Sequence, residues 1–400
     1  MRKEVSFSMI SLKASNYKFL SKRGVALFCL TVFLCIIAIL MLSSASSYSA
    51  EKNFNDSLYF VKKQLIAMGL GLICMIVLSY TNSKLVKKVT IPFLILSFIL
   101  LVIIFIPGVG VESFGAKRWI NLGFTTIQPS ELSKFALIIF SAKFMENRDM
   151  NKIRNCIPIL IVGGLMCVLL LLEPNMSVTI LSAALMIIML YIGGANSKLF
   201  IAMVIPIVIA FILLIVTEPY RLQRLMAFIN PWANPRGEGY QLIQSYYALG
   251  SGGWFGVGLF NSRQKFLFLP FAESDFIFSI VGEELGFIGA LFIISIYASI
   301  TVLGISISKR CENRFDATLA FGISNVFGLQ TLLNIAVVSG AIPPTGIPLP
   351  LMSYGGSSLV CFLSSLGILL SVDRRSKVNI FSVIEEKREG KKKYGRLRFN

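Results

Sequence analysis

Apolar runs of close to twenty residues recur along the whole of this 400-residue chain, and no other feature restricts its fold as strongly. A helix of that length crosses the hydrocarbon layer of a bilayer, whereas an open strand would leave its backbone unsatisfied in lipid. Runs near 24–43, 60–80, 89–107, 129–147, 156–172, 177–194, 198–217, 276–308, 316–339 and 355–372 predict an all-α polytopic membrane protein with ten transmembrane helices. The eighth run is long enough to tilt or to extend beyond the bilayer. Only 14% of the residues are charged, against roughly a quarter in an ordinary soluble domain, and the runs leave no room for a separate soluble unit.

Lysine and arginine predict the orientation. Arg2, Lys3, Lys13, Lys18, Lys22 and Arg23 precede the first run, and Arg374, Arg375, Lys377 and Lys391 to Lys393 follow the last. Turns holding Lys84, Lys87 and Lys88, then Arg148, Lys152 and Arg154, then Lys198, then Lys309, Arg310 and Arg314 fall on the same side if there are ten spans. That side is read as cytoplasmic, with both termini on it. The expected organisation is a basic tail over 1–23, a membrane domain over 24–372 with a large outer loop at 218–275, and a second basic tail over 373–400. The first run lacks a small-residue cleavage site and follows a basic tail, so a retained signal-anchor is expected.

The net charge of +18 raises the question of nucleic acid. Its carriers lie in short clusters between apolar runs, as topology signals do, so no nucleic-acid partner is expected. The chain has no histidine, which removes the commonest general base and metal ligand. Its seven cysteines form no CxxC pair, and six sit in or at the edge of apolar runs. They read as buried thiols, without a disulfide framework or a metal site.

The opposite side carries charge that the simple rule does not explain. Lys117 and Arg118 precede span four, and Arg221, Arg224, Arg236, Arg263 and Lys265 lie in 218–275. They suit an outward cleft for an anionic ligand such as a lipid diphosphate, or they pair with Glu112, Glu218, Glu238 and Glu273; charge alone leaves both open. Pro-Trp at 231–232, Asn-Pro at 234–235 and Gly-Ser-Gly-Gly at 250–253 break up the loop. Within it, "GYQLIQSYYALG" reads as a short amphipathic helix at the interface. "SGAIPPTGIPLPLMSYGGSS", before span ten, holds four prolines that forbid regular helix, and irregular backbone at that depth must be buried in protein or line a wet cavity.

Ionisable groups inside the spans are functional candidates. In "QPSELSKF", Glu131 and Lys134 are three apart and close enough to pair on one helix face. In "SDFIFSIVGEELGFIGA", Gly282, Gly286 and Gly289 form a small-residue face. Glu283 and Glu284 point about 100° apart, so they cannot both face one cavity, and a structural role is expected. Asn325, Gln330 and Asn334 in span nine are read as interhelical hydrogen-bonding residues. Asp275 stands at the outer end of span eight, after Arg263, Lys265 and the Pro270 turn. A partly desolvated carboxylate there suits a general base, and an Asp there equally suits a helix N-cap.

Five strings carry a resemblance: "GAKRWINLG" with "QPSELSKFALI", "YRLQRLMAFINPWANPRGEGYQLIQS", "GSGGWFGVGLFNSRQKFLFLP", "SDFIFSIVGEELGFIGA" and "GIPLPLMSYGGSSL". In that order they resemble the SEDS family of bacterial envelope proteins, whose members are called RodA, FtsW or SpoVE, with likeness from span one to span ten. The resemblance implies a ten-span fold in the cytoplasmic membrane and peptidoglycan glycosyltransferase activity on lipid II, the undecaprenyl-diphosphate-linked disaccharide. It also implies a class B penicillin-binding protein as partner. The family's catalytic carboxylate falls on Asp275, its basic positions on Arg118, Lys134, Arg263 and Lys265, and its acid in Q-P-S-E-L on Glu131. A divalent ion, Mg or Mn, is a possible aid to the leaving group, although no ligand cluster marks a site. The chain departs from the family's L-P-E-A-H-T-D with "LPFAESD", placing Phe271 and Glu273, and from Q/E-P-D-x-G-T with "EPNMSVT", placing Asn175 and Ser177. These changes mark a divergent branch, and "SRQKF" and "GEELG" lean toward the FtsW/SpoVE side. Two alternatives stand beside the enzyme: a lipid II flippase, and a catalytically idle scaffold for the penicillin-binding protein.

Overall fold

A computed structural model describes residues 20–396 apart from 114–115, 122–125, 204 and 207–218; the side chains of 112–117, 219–221 and 377–396 are likewise outside the description. The side chains of Glu112, Lys117, Glu218 and Arg221, named above, therefore lie outside the described residues. The elements are α1 (Lys22–Phe54), α2 (Tyr59–Leu78), α3 (Ser83–Ile103), β1 (Gly110–Ser113), β2 (Ala116–Asn121), β3 (Thr126–Ile127), α4 (Pro129–Met145), α5 (Ile153–Leu172) and α6 (Met176–Ile192). After them come α7 (Pro219–Ile229), a 3₁₀ turn (Pro231–Ala233), α8 (Tyr240–Gly252), α9 (Ile277–Ser308), α10 (Arg314–Val338) and α11 (Gly356–Arg396). Among the described residues seven helices are long and apolar enough to cross a membrane: α1, α2, α3, α5, α9, α10 and Gly356–Ser376 of α11. With the shorter α4 and α6, nine of the ten expected spans coincide with a helix. The remaining one, 198–217, is helical at 198–203 and 205–206 and otherwise lies outside the described residues.

Local sequence explains where the helices begin. Ser21, Asn82 and Asn313 sit just before α1, α3 and α10 and accept main-chain N–H bonds from Gly24, Leu85 and Phe315, satisfying donors that a helix start leaves open. The peripheral helices bury one stripe: on α3 it is Val86, Thr90, Leu94, Ser97 and Leu101, while Ile91, Ile95, Ile99 and Val102 are exposed, as a lipid-facing helix requires. α4 is the contrary case. It packs between α3, α5, α6, α10 and α11 and buries nearly every residue from Pro129 to Ala142.

Three features depart from the sequence expectation. The all-helical reading omits a small antiparallel sheet between α3 and α4, in the order β1-β2-β3, with Val111 opposite Trp119 and Ile120 opposite Ile127; it lies in a loop, where strands are not forbidden by lipid. The long eighth run is a helix broken at Gly286 (φ +67°). There residues 253–258 take over the lost hydrogen bonds: Val257 and Gly258 N–H donate to the Glu283 and Glu284 carbonyls, and Phe287 and Ile288 N–H to those of Gly253 and Trp254. A Cβ on Gly286 would stand 2.3 Å from the Gly256 nitrogen. Finally, α11 passes unbroken through the expected boundary at 372–373. Asp373 accepts from the N–H (2.8 Å) and Oγ (2.5 Å) of Ser21, and Arg375 grips Asp316 at 2.8 Å, which joins α11 to the start of α1 and the start of α10.

Candidate active site

Asp275 lies just before α9, at the end of that helix opposite Ser306, which receives Arg23 from the start of α1. It is not a cap: the N-cap of α9 is Phe276, and no side chain bonds the first turn. Its main-chain carbonyl is held by Asn334 Nδ2 at 2.7 Å. The residue is only partly exposed, and burial pushes its carboxyl up to about 6, against the opposing pull of its own main-chain N–H and of the Arg224 guanidinium, with Glu273 adding to the rise. Glu273 is itself partly buried, and burial raises its carboxyl. Gly346 (φ +71°) forms a wall beside Asp275, where a Cβ would lie 3.8 Å from Oδ2. Arg224, on α7, is thus the cation whose field reaches Asp275. The sequence places it only among the outer basic residues, because nothing local ties a loop helix to a carboxylate 51 positions on.

The loop bearing Arg263 and Lys265 is held by the two adjacent glutamates. Glu283 accepts from Ser262 Oγ and from the N–H groups of Arg263 (2.9 Å) and Gln264 (3.4 Å). Glu284 accepts from Ser44 Oγ at 2.5 Å and the Ser262 N–H at 3.2 Å. Lys265 is buried, bonded to Ser44 Oγ at 3.2 Å and the Phe260 carbonyl, and lies 3.7 Å from Glu284. It also lines a cavity of about 400 Å³ with Ser49, Asn53, Phe60, Pro270 and Glu273. Arg263 is exposed, and its guanidinium has no partner among the described residues.

Glu131 and Lys134 do pair, at 2.9 Å, but at 1% and 0% side-chain exposure. The ammonium also donates to Gln330 Oε1 at 2.6 Å, so it sits behind the irregular loop and not in an open cleft. Gln330 and Asn334 continue that column: their amides donate to the Pro348 (2.9 Å) and Ile347 (2.8 Å) carbonyls. The interhelical role expected of the three amides holds for Gln330, while Asn325 bonds the Phe321 carbonyl of its own helix at 2.9 Å. Arg118 donates to the carbonyls of Glu173 and Pro174, and Ser177 to that of Thr345, tying the α5–α6 turn to the same loop. Asn175 caps α6 through Val178. Glu173, which the sequence did not single out, is 1% exposed with both carboxylate oxygens unpartnered among the described residues. Burial pushes its carboxyl up to about 8, opposed by Arg118. Its signals in the sequence were an acid abutting an apolar run and its place at the head of "EPNMSVT".

A divalent ion held by protein ligands alone would need several convergent carboxylates. Among the described residues no group of three or more Cys, Asp or Glu gathers in that way, so the donor set does not fit such a resident ion.

A carboxyl held near neutrality, with a cation whose field reaches it, suits proton abstraction next to an anionic leaving group; the cavity comes as close in sequence as Glu273, two residues before that carboxyl. Comparison with known proteins agrees with the resemblance drawn above, including its lean toward the FtsW/SpoVE side. Residues 25–378 match the family described as cell cycle protein, FtsW/RodA/SpoVE. Stage V sporulation protein E of Bacillus subtilis is 38% identical over 351 residues, covering 87% of this chain and 96% of that protein. The probable peptidoglycan glycosyltransferase FtsW of Trichlorobacter lovleyi is 39% identical over 363 residues, covering 90% and 95%. Among solved structures, a chain from a peptidoglycan synthase complex that coordinates polymerization and crosslinking superposes with a TM-score of 0.74 at 26% identity, covering 88% of this chain and 97% of that one. The rod shape determining protein RodA of Thermus thermophilus, in a mutant form, gives 0.64 at 25% identity, covering 87% and 96%. The chain is a multi-pass membrane protein and belongs to the FtsW/RodA/SpoVE family of cell cycle proteins.

Proposed function

We propose that this protein polymerises lipid II into glycan strands on the outer face of the bacterial cytoplasmic membrane, with Asp275 as the general base. The observation that carries the reading is the state of Asp275: it is excluded from capping, fixed through its own carbonyl and held near pH 6, where a carboxyl accepts a proton most usefully. The acceptor sugar's hydroxyl gives its proton to Asp275 while its oxygen bonds to the anomeric carbon of the donor chain. The bond from that carbon to the diphosphate oxygen breaks, and its electron pair leaves with undecaprenyl diphosphate. Arg224 beside the base and the exposed Arg263 meet the leaving charge. Lys265 meets the ligand only along the cavity wall, since its ammonium already serves Ser44 and Glu284. Arg118 acts through the Glu173–Pro174 turn, and Glu131 with Lys134 acts from behind the loop. No step is routed through a metal ion.

Both termini face the cytoplasm in this reading, and 218–275 faces outward. The partner is a class B penicillin-binding protein docked on lipid-facing helices and outer loops such as 343–354, a reading supported by the similar chain found in a peptidoglycan synthase complex that coordinates polymerization and crosslinking. The test is reconstitution of the purified chain in liposomes with labelled lipid II, with and without that partner. Glycan strands are the expected product. Transfer of lipid II between leaflets without polymer identifies a flippase, and neither activity with an intact partner complex identifies a scaffold.

A further inference from the structure

Gln330 and Asn334 stand one turn apart on α10, and both are fully buried. Their NH2 groups go to main-chain carbonyls of a segment that its prolines keep out of regular structure. Gln330 takes one, at Pro348. Asn334 takes two from different parts of the chain: Ile347 at 2.8 Å and Asp275 at 2.7 Å. Donation to two carbonyls fixes which way the amide faces. The loop held this way carries Gly346, which lies against the Asp275 carboxyl: a Cβ there would meet Oδ2 at 3.8 Å, an ordinary van der Waals contact. One amide therefore sets both the main chain that bears the carboxyl and the wall the carboxyl lies against. Below it, Gln330 is braced through Lys134 and Glu131 into α4.

We propose that Asn334 is a positioning residue for the reaction: it locks the main chains of Asp275 and Ile347 in one relation, so that the Asp275 carboxyl is aimed at the acceptor hydroxyl across Gly346. This rests on the reading of Asp275 as the base. A purely structural Asn334 would govern how much protein folds. A positioning Asn334 governs the rate per folded molecule, because a displacement near 1 Å costs up to about 100-fold in rate. It also governs how wet the carboxyl is. The charged groups whose fields reach Asp275 are Arg224 of α7 and Glu273 of its own turn, and Asn334 of α10 and Gly346 of the proline loop, which lie against it, are neutral.

The experiment compares wild type, Asn334→Leu and Asn334→Gln, each full-length, with its partner and in liposomes, by initial rates of lipid II polymerisation from pH 5 to 8. Leucine removes both donors, and glutamine keeps them one methylene too far out. For both, kcat should fall about 10- to 100-fold with KM nearly unchanged, and the acid limb of the pH profile should move down from near 6 as the freed carboxyl gains water. If Asn334→Leu does not accumulate, Asn334→Gln decides alone. A folded variant with wild-type kcat and an unmoved acid limb overturns the proposal. Asp275→Asn run in parallel separates the two levels: full activity there removes the base assignment itself, whereas loss there with full activity in the Asn334 variants removes only the positioning role.

Discussion

The main-chain N–H of Arg263 donates to Glu283 Oε1 at 2.9 Å, across 20 residues of sequence. Together with the bonds from Ser262 and Gln264, it makes a buried carboxylate the anchor of the loop that presents a guanidinium to the outside. In Glu283→Gln one oxygen becomes an NH2 facing existing donors. It should lose about 1–3 kcal/mol of stability, seen as lower yield and a lower unfolding temperature in detergent, while activity per folded molecule stays close to wild type.

Gly286 should tolerate no side chain. Its φ of +67° disfavours an L-residue, and an added Cβ would strike the main chain at Gly256 and Phe255, which cannot move without breaking the bonds that repair α9. Gly286→Ala is expected to cost more than the roughly 1–2 kcal/mol of the left-handed conformation alone. A thermal-shift comparison with Gly289→Ala, whose nearest contact is a side chain of its own helix, checks it.

Glu173 should make the protein less stable as pH rises. Folded, its carboxyl keeps its proton up to about 8; its ordinary value is 4.5. Between those values the folded state binds the extra proton, so stability is greatest below about 4.5 and falls as pH climbs to about 8, beyond which the loss levels off. Glu173→Gln removes this term. Its unfolding free energy relative to wild type should increase from pH 5 to pH 8, on the order of a few kcal/mol at most, read as an unfolding temperature that gains on wild type over that range. A constant margin would contradict it.

Topology can be read with single cysteines in a cysteine-free background. Ser251 is exposed on the last turn of α8, and Ser251→Cys should react with an impermeant reagent from outside. Reaction only from the cytoplasmic side would invert the assignment built on Lys and Arg.

Span positions were legible in the sequence because lipid imposes length and hydropathy on any helix that crosses it, and nine runs coincide with helices. The acids at 283 and 284 were expected to diverge, but both reach Ser262, Glu283 through its Oγ and Glu284 through its N–H: the 262–264 loop folds over the two side chains, and such bonds join residues far apart in sequence. The repaired break at Gly286 looked like a small-residue face, since a glycine needed for positive φ and one needed for close packing read alike. For Asp275 the local sequence left base and cap open, and the cap alternative failed only when the first turn of α9 was seen to lack a side-chain acceptor. Arg224 was legible as an outer cation, but its tie to Asp275 was hidden for the same reason as the glutamate contacts, and the β-sheet was missed because its short strands carry no marked alternation.

The central claim is that the Asp275 carboxylate takes the acceptor's proton. Asparagine preserves its shape and its carbonyl bond to Asn334, yet cannot accept that proton. Asp275→Asn should fold, insert and bind its partner as wild type does, and should polymerise labelled lipid II at least about 100-fold more slowly. Wild-type activity should rise with pH through about 6, where the carboxyl ionises, and then level off. Polymerisation by Asp275→Asn at the wild-type rate would contradict the account.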